Sequence, residues 1–187
     1  MKYDSAKHHR RSIRLKKYDY TQSGWYFITI CTEQKRCLFG AIANKQLILN
    51  EFGNIASNCW QAIPEHFPKI KLDEFVIMPN HVHGILIVTN NSADDINCRG
   101  KAMPCPYNKG EFGKPVSGSI STIIGSFKSA VTKQINIIRN SKGTSVWQRN
   151  YYDHIIRNEE SLNKIRKYII NNPLSWENDQ LHCDRFN

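Results

Sequence analysis

Two histidines separated by one residue, His81 and His83, are the sharpest chemical feature of this 187-residue sequence. They stand in the segment MPNHVHGILIV, whose apolar residues predict a buried strand. Because side chains alternate faces along a strand, both imidazoles lie on one face, with Cα atoms about 6.6 Å apart at roughly 3.3 Å per residue. Such a pair can bind one divalent cation and leave positions for another ligand and a substrate oxygen. The alternative is two hydrogen-bonded histidines at a strand end.

A tyrosine and an asparagine in KYIINNPLSW form the second feature. Three apolar residues at helical spacing predict an amphipathic helix here: Leu162, Ile165 and Ile169. Tyr168 lies beside this stripe, and Asn172, four residues later, shares its face. Pro173 disfavours helical geometry at Asn172, so the neighbouring Asn171 is a rival for the position.

Together these groups would suit phosphodiester transesterification. A cation held by His81, His83 and an amide oxygen would polarise a scissile phosphate as a Lewis acid. Tyr168 would attack as a phenolate and form a covalent phosphotyrosine, which conserves the bond energy for rejoining. Tyrosine has a reference pKa of about 10, so a nearby cation or base must favour its ionised form. Tyr151 and Tyr152 are the rival nucleophiles.

The elements that must position these groups are predicted in the order strand, helix, strand, strand, helix, strand, helix. The strands are predicted at 25–32, 71–78, 81–88 and within 146–156, with a short additional one at 37–43; the helices are predicted at 54–65, 119–139 and from Asn158 to Pro173. This order indicates an α+β fold with a ferredoxin-like or RRM-like antiparallel sheet, helices on one face, and a C-terminal helix that carries the tyrosine. No boundary divides the core, so residues 1–187 are expected to form a single domain.

The net charge of +10, from 26 basic and 16 acidic residues, favours a polyanionic partner such as nucleic acid. Residues 1–20 form a basic arm, and residues 89–118, rich in Gly, Pro and Asn without a period, predict a flexible loop. The candidate DNA contacts are Arg10, Arg11, Arg14, Lys16, Lys17, Lys128, Arg149, His154 and Arg157.

Other classes of protein are disfavoured by the composition and by the N-terminal residues. The aromatic content excludes extensive disorder. No apolar run is long enough to span a membrane, and the charged first residues do not resemble a secretory signal. A cytoplasmic protein without a membrane partner is therefore expected.

Four segments together resemble the HUH single-tyrosine transposases, and most of all their REP-associated tyrosine transposase branch, which is IS200-like. They are HHRRSIRLKKYDYTQSGWYFITICT, PNHVHGI, WQRNYYDHIIRN and KYIINNPLSW, and the resemblance runs from about Arg10 to Trp176. It implies an enzyme dependent on Mg²⁺ or Mn²⁺ that nicks and rejoins single-stranded DNA near short palindromic hairpins. It also implies that His81 and His83 are metal ligands, that Tyr168 is the nucleophile, and that Asn172 replaces the glutamine of insertion-sequence relatives. The chain would act as a monomer or a homodimer.

A non-catalytic protein that binds single-stranded nucleic acid on the same sheet is the main alternative, since exposed sheet aromatics stack bases in RNA-recognition modules. The candidate strands lack the aromatic pattern of those modules, and this alternative leaves the histidine pair unexplained. A histidine-triad hydrolase would need a third alternating histidine where Ile85 stands.

Overall fold

The computed structural model describes residues 18–89 and 116–182, and the structural statements below concern those two segments. Their elements in chain order are β1 (Gly24–Cys31), β2 (Gly40–Ala43), β3 (Gln46–Leu49), α1 (Glu51–Gln61), α2 (Ile63–His66), β4 (Ile70–Ile77), β5 (His81–Val88), α3 (Ile120–Ile138), β6 (Tyr152–Ile156) and α4 (Glu159–Asn171). Short 3-10 helices lie at Glu33–Lys35 and Pro173–Asn178.

The main sheet has the strand order β4-β5-β1-β6, and every neighbouring pair is antiparallel. The units β1–α1–β4 and β5–α3–β6 interleave, which is the ferredoxin-like arrangement. The predicted α+β fold is therefore confirmed, and β5 begins and ends where the sequence predicted.

One face of the sheet packs against α1 and α3 and forms the larger apolar core. Gly84 shows how close this packing is, because a Cβ there would lie 2.4 Å from an atom of the Trp60 ring. Trp60, fully buried on α1, can lie against β5 only where that strand has no side chain. Strand alternation then directs His81 and His83 to the opposite face.

The opposite face is covered in part by α4, which carries Tyr168. Its apolar stripe packs in a second, smaller core: Phe27, Ile85, Ile156, Leu162 and Ile169. Asn158, where the sequence predicts that this helix begins, caps it, because its side chain accepts a hydrogen bond from the Ser161 amide at 2.8 Å. The sheet thus separates α1 and α3 from the helix that carries the tyrosine.

Two regions differ most from the prediction: the strand expected at 37–43, and the single helix expected at 54–65, which is divided into α1 and α2. The single short strand expected at 37–43 is the β2–β3 hairpin, whose turn residues Asn44 and Lys45 have φ of 51° and 61°, the geometry of a tight hairpin turn. Helix α1 begins at Glu51, earlier than expected, because the Asn50 side chain caps it by accepting from the Gly53 amide at 3.0 Å.

Much of the basic arm and of the predicted loop, residues 1–17 and 90–115, lies outside the described residues. This applies to five of the candidate DNA contacts: Arg10, Arg11, Arg14, Lys16 and Lys17. Among the helices of the described segments, none is both long and apolar enough to cross a bilayer.

Candidate active site

The two histidines lie on β5, one of the two inner strands of the sheet, and are almost completely buried, with 0% and 2% of their surfaces exposed. Across the strand pair, His81 faces Cys31 and His83 faces Thr29 on β1. The centroids of their rings are 4.4 Å apart. The predicted shared face is therefore observed.

Asn80 determines which nitrogen of His81 is available. The Asn80 amide nitrogen donates to the carbonyl oxygens of Lys35 at 3.1 Å and Leu181 at 2.6 Å, so its Oδ1 is the atom that faces His81 Nδ1, at 2.7 Å. Because this oxygen can only accept, His81 must carry its proton on Nδ1. Its Nε2 then bears a lone pair, and this buried atom has no hydrogen-bond partner within the described segments.

His83 is held by a similar pair of contacts. Its Nδ1 lies 2.8 Å from the Thr29 hydroxyl, and its Nε2 lies 3.1 Å from the hydroxyl of Tyr168. With a proton on Nδ1 donated to Thr29, Nε2 accepts from the phenol. Both histidines therefore turn Nε2 toward the same space, and each has its other ring nitrogen fixed by a neighbour, as is usual for histidines that bind metals.

Burial keeps both imidazoles neutral. It lowers the pKa of His81 to about 3, a shift that the nearby Asn172 carboxamide opposes and the Lys35 charge reinforces. Burial, together with repulsion from His81, also lowers the pKa of His83 well below its usual value. Metal binding requires the neutral form, so both imidazoles are in the form that could bind a cation at physiological pH.

Asp179 completes a cluster that the sequence did not predict. One ligand atom from each of His81, His83 and Asp179 lies within 4.8 Å of the other two. Asp179 ends the 3-10 helix Pro173–Asn178 and is 9% exposed. Its position depends on the irregular chain that follows, where Asp179 Oδ1 accepts from the Leu181 amide at 2.6 Å. No periodic pattern marks this residue, so sequence reasoning missed it.

Asn172, the predicted amide ligand, lies at the C-terminal end of α4 and is 2% exposed. Its Oδ1 is buried and finds no hydrogen-bond partner among the residues described. It lies close enough to influence the pKa values of both His81 and Tyr168. The rival Asn171 is exposed on the helix surface.

The donor set fits a divalent cation. Two buried atoms, His81 Nε2 and Asn172 Oδ1, have no hydrogen-bond partner among residues 18–89 and 116–182, and leaving such groups unsatisfied costs about 1–3 kcal/mol each. The Asp179 carboxylate adds the negative charge that a hard cation requires. Two imidazoles with carboxylate and amide oxygens form a mixed set open to Mg²⁺, Mn²⁺ and related ions.

Tyr168 is half exposed, and its hydroxyl contacts His83 directly. Its ring stands edge-on to Phe27, with centroids 6.1 Å apart. Burial and the Asp179 charge raise the pKa of this phenol, and a hydrogen bond from Asn172 partly opposes the shift. The side chain is thus a neutral phenol beside the cluster. Of its rivals, Tyr152 is exposed on β6 and Tyr151 packs against the apolar core.

The remaining candidate DNA contacts do not join this cluster. The Lys128 ammonium donates to the carbonyl oxygens of Gln148 and, at 3.2 Å, Asn150, and burial lowers its pKa. Lys128 therefore holds a loop rather than extending into solvent. Arg149, His154 and Arg157 are exposed on and around β6.

The neutral histidines predict a pH-dependent stability of the metal-free protein. Their folded-state pKa values lie below the unfolded value, so the unfolded chain binds more protons and stability falls as pH drops below about 6.5. Each such histidine lowers the free energy of unfolding by about 2 kcal/mol as the pH falls from 6.5 to 5. Urea denaturation in EDTA should show this loss, and His83→Gln should reduce it. The control variant His66→Gln, at an exposed position, should leave the loss of stability at low pH unchanged. If both variants reduced that loss equally, the buried histidines would not be its source.

The sequence is similar to two proteins of Haemophilus influenzae. The sequence is 48% identical over 185 residues to an uncharacterized protein of Haemophilus influenzae, covering 98% of both chains. It is 24% identical over 157 residues to a protein of the same species named as a REP-associated tyrosine transposase, covering 83% of this chain and 73% of that one. The chain matches no protein-family profile.

A solved structure shares the fold. The structure of a REP-associated tyrosine transposase bound to a REP hairpin aligns with a TM-score of 0.53 at 16% identity, covering 89% of this chain and 74% of that one. The resemblance to this branch that the sequence predicted is therefore confirmed in sequence and in fold.

Proposed function

This chain belongs to the family of the 48%-identical Haemophilus influenzae protein and has the fold of a REP-associated tyrosine transposase, and from that premise we propose that it nicks and rejoins single-stranded DNA. The substrate would be DNA near a hairpin, cut in the cytoplasm through a covalent phosphotyrosine. One observation carries the proposal: the Tyr168 hydroxyl lies 3.1 Å from Nε2 of a histidine that shares a ligand cluster with His81 and Asp179.

The residues that would hold the metal are His81, His83 and Asp179, with Asn172 beside them. A bound Mg²⁺ or Mn²⁺ supplies Lewis-acid polarisation of the scissile phosphate and neutralises charge that develops on its oxygens. Asn80 and Thr29 orient the two imidazoles, because each is hydrogen-bonded to an Nδ1 atom.

Tyr168 would form a bond from its oxygen to phosphorus while the bond from phosphorus to one ester oxygen breaks. The phenol proton passes to solvent water, which reaches the half-exposed Tyr168, and the leaving oxygen takes up a proton from solvent to become a free hydroxyl end. One phosphoester replaces another, so the reverse attack by a DNA hydroxyl can rejoin the strand. His83 Nε2 cannot accept the phenol proton and bind a cation at once. Metal binding and the Tyr168–His83 hydrogen bond therefore exclude each other.

The geometry supports action within one subunit. Tyr168 and both histidines belong to the same chain, and α4 is fixed over the sheet by the smaller core and by an ion pair. Arg166, two residues before Tyr168, donates to both carboxylate oxygens of Asp73 on β4, at 2.9 and 2.5 Å. We infer that this two-point contact sets the position of the tyrosine.

Breaking this contact should therefore impair nicking as well as stability. Arg166→Ala leaves the largely buried Asp73 carboxylate unpaired and should cost about 1–3 kcal/mol of unfolding free energy. It should also lower the nicking rate of the folded protein, with Arg166→Lys intermediate because lysine cannot make the two-point contact. Lys164→Ala removes an exposed pair with Glu160 on the same helix and should change neither measurement appreciably. Nicking by folded Arg166→Ala at the wild-type rate would exclude the positioning role.

The function itself is tested with labelled single-stranded hairpin oligonucleotides that carry unpaired flanks. With Mn²⁺ or Mg²⁺, the protein should produce a nicked strand and a protein–DNA adduct that survives SDS; with EDTA it should produce neither. DNA binding without any adduct across a broad set of hairpins would instead favour the non-catalytic nucleic-acid binder.

A further inference from the structure

A short segment between β1 and β2 is fixed at the end of the sheet that carries the histidines. Gln34 and Lys35 both have left-handed backbone angles, with φ of 55° and 52°, which residues other than glycine adopt rarely. The Lys35 amide donates to the Thr32 carbonyl at 3.0 Å, and the Lys35 carbonyl accepts from the Asn80 side chain at 3.1 Å. Such backbone conformations persist where the surrounding structure enforces them, and they are frequent at functional sites.

Asn80 joins the backbone of Lys35 to the ligand cluster. Its carboxamide nitrogen donates to the Lys35 carbonyl, and its oxygen faces His81 Nδ1 at 2.7 Å. The centroids of the two histidine rings are 4.4 Å apart, and the Tyr168 hydroxyl contacts the farther ring, that of His83. Lys35 and Tyr168 therefore lie at opposite ends of the histidine pair.

The charge of Lys35 acts on the His81 end of the site. Burial lowers the pKa of His81, and the Lys35 charge lowers it further. Burial raises the pKa of the Cys31 thiol, and the same charge opposes that rise. Cys31 faces His81 across the strand pair and lines the cleft beside Tyr168. The Lys35 ammonium is thus near enough to interact with negative charge that develops at this end of the cleft.

The cleft itself offers little positive charge. Among the residues of segments 18–89 and 116–182 that line it, none is a lysine or an arginine. Lys128, whose charge also acts on Cys31, donates to the carbonyls of Gln148 and Asn150. A divalent cation would be balanced by the Asp179 carboxylate and one phosphodiester. The charge that passes from a phenolate to the leaving oxygen then requires a further cation.

We propose that Lys35 stabilises the oxygen that leaves when Tyr168 attacks. In an in-line displacement the attacking and leaving oxygens lie on opposite sides of phosphorus, and Lys35 lies at the end of the histidine pair opposite the phenol. Its ammonium donates a hydrogen bond to the leaving oxygen while the bond from phosphorus to that oxygen breaks. The oxygen then takes up a proton from solvent, and Lys35 keeps its own. This inference rests on the proposed function, because it requires Tyr168 to attack a phosphodiester.

The first test changes the leaving atom. After the cut site is mapped, sulfur replaces the ester oxygen that leaves, because a thiolate is a much weaker base than an alkoxide and needs little stabilisation. On ordinary hairpin DNA at saturating Mn²⁺, Lys35→Met should lower kcat about 100-fold, the scale of loss when one donor to a developing oxyanion is removed. On the sulfur substrate, Lys35→Met and wild type should nick at similar rates. Lys35→Arg should retain much of the rate on both substrates, because it keeps the charge.

The second test needs no DNA. Calorimetric titration of the metal-free protein with Mn²⁺ at low ionic strength should show tighter binding by Lys35→Met, by about twofold or more, because a positive charge near the cluster is removed. Lys45→Met is the matched control for both tests. Lys45 is an exposed lysine in the β2–β3 turn with the same left-handed backbone, at φ of 61°, and its replacement should change neither measurement.

The results separate this role of Lys35 from the proposed function. If wild type nicks but Lys35→Met loses the same factor on the oxygen and sulfur substrates, Lys35 does not act on the leaving oxygen. Unchanged Mn²⁺ affinity in Lys35→Met would show that its charge is not at the site. Either result overturns only the inference about Lys35, whereas a wild-type protein that forms neither nick nor adduct overturns both proposals.

Discussion

Replacing Tyr168 with phenylalanine is expected to reduce nicking to less than about one thousandth of the wild-type rate, the scale of loss when a nucleophile is removed, and to abolish the SDS-stable adduct. The reason is that the ring and its contact with Phe27 remain while the only attacking oxygen is lost. The same variant should bind Mn²⁺ at least as tightly as wild type. The wild-type phenol competes for His83 Nε2, and a hydrogen bond of about 0.5–1.5 kcal/mol corresponds to a gain of a few-fold or more.

Two measurements check this prediction, the adduct yield on hairpin DNA and Mn²⁺ titration by calorimetry. Tyr152→Phe is the matched control, because it removes the hydroxyl of the exposed rival on the same sheet face and should retain the adduct. An adduct formed by Tyr168→Phe would show that another residue attacks. Weaker Mn²⁺ binding by that variant would show that the phenol contributes to the metal site rather than competing with it.

Replacing Asp179 with asparagine is expected to reduce divalent-metal affinity by at least the roughly 10–100-fold that even outer partners of metal ligands contribute. The substitution keeps the shape and removes the one formal negative charge of the cluster. Asn172→Ala should cost less, because a neutral amide interacts with a cation more weakly than a carboxylate does. Asp179→Asn should also lower the pKa of Tyr168, since the Asp179 charge raises it in the wild-type protein.

Calorimetric titration with Mn²⁺ measures the affinities, and ultraviolet titration of the phenol in EDTA measures the pKa. Glu177→Gln, which removes an exposed charge from the adjoining 3-10 helix, should leave both unchanged. If Asn172→Ala lost more affinity than Asp179→Asn, the amide would be the principal third ligand, as the sequence alone predicted.

Local periodicity in the sequence is sufficient to predict much of the fold and part of the candidate site. Alternation along β5 placed His81 and His83 on one face, because a strand has a period of two whatever its neighbours are. The helical spacing of α4 placed Tyr168 beside an apolar stripe and near Asn172 for the same kind of reason. The order of strands and helices was sufficient to indicate the ferredoxin-like sheet.

Irregular segments are harder to predict from the sequence, because hydrogen bonds rather than periodicity determine the path of the chain there. The sequence predicts only one strand of the β2–β3 hairpin. Helix α1 starts earlier than its apolar spacing predicts, because the Asn50 side chain caps it. The charge of Lys128 makes it a candidate phosphate contact, yet its ammonium donates to the carbonyl oxygens of Gln148 and Asn150, about twenty residues later in the chain. The sequence around Lys128 contains no pattern that predicts these hydrogen-bond partners.

The sequence by itself determined which histidines, which tyrosine and which helix face could meet, since these depend on spacing within one element. Only the tertiary structure decided that Asp179 joins them and that Nε2 is the free nitrogen of His81. Both depend on Asn80, which binds the Leu181 carbonyl from 101 positions away in the chain. A contact between such distant residues arises only when the sheet and the C-terminal segment pack together, so no local pattern of residues encodes it.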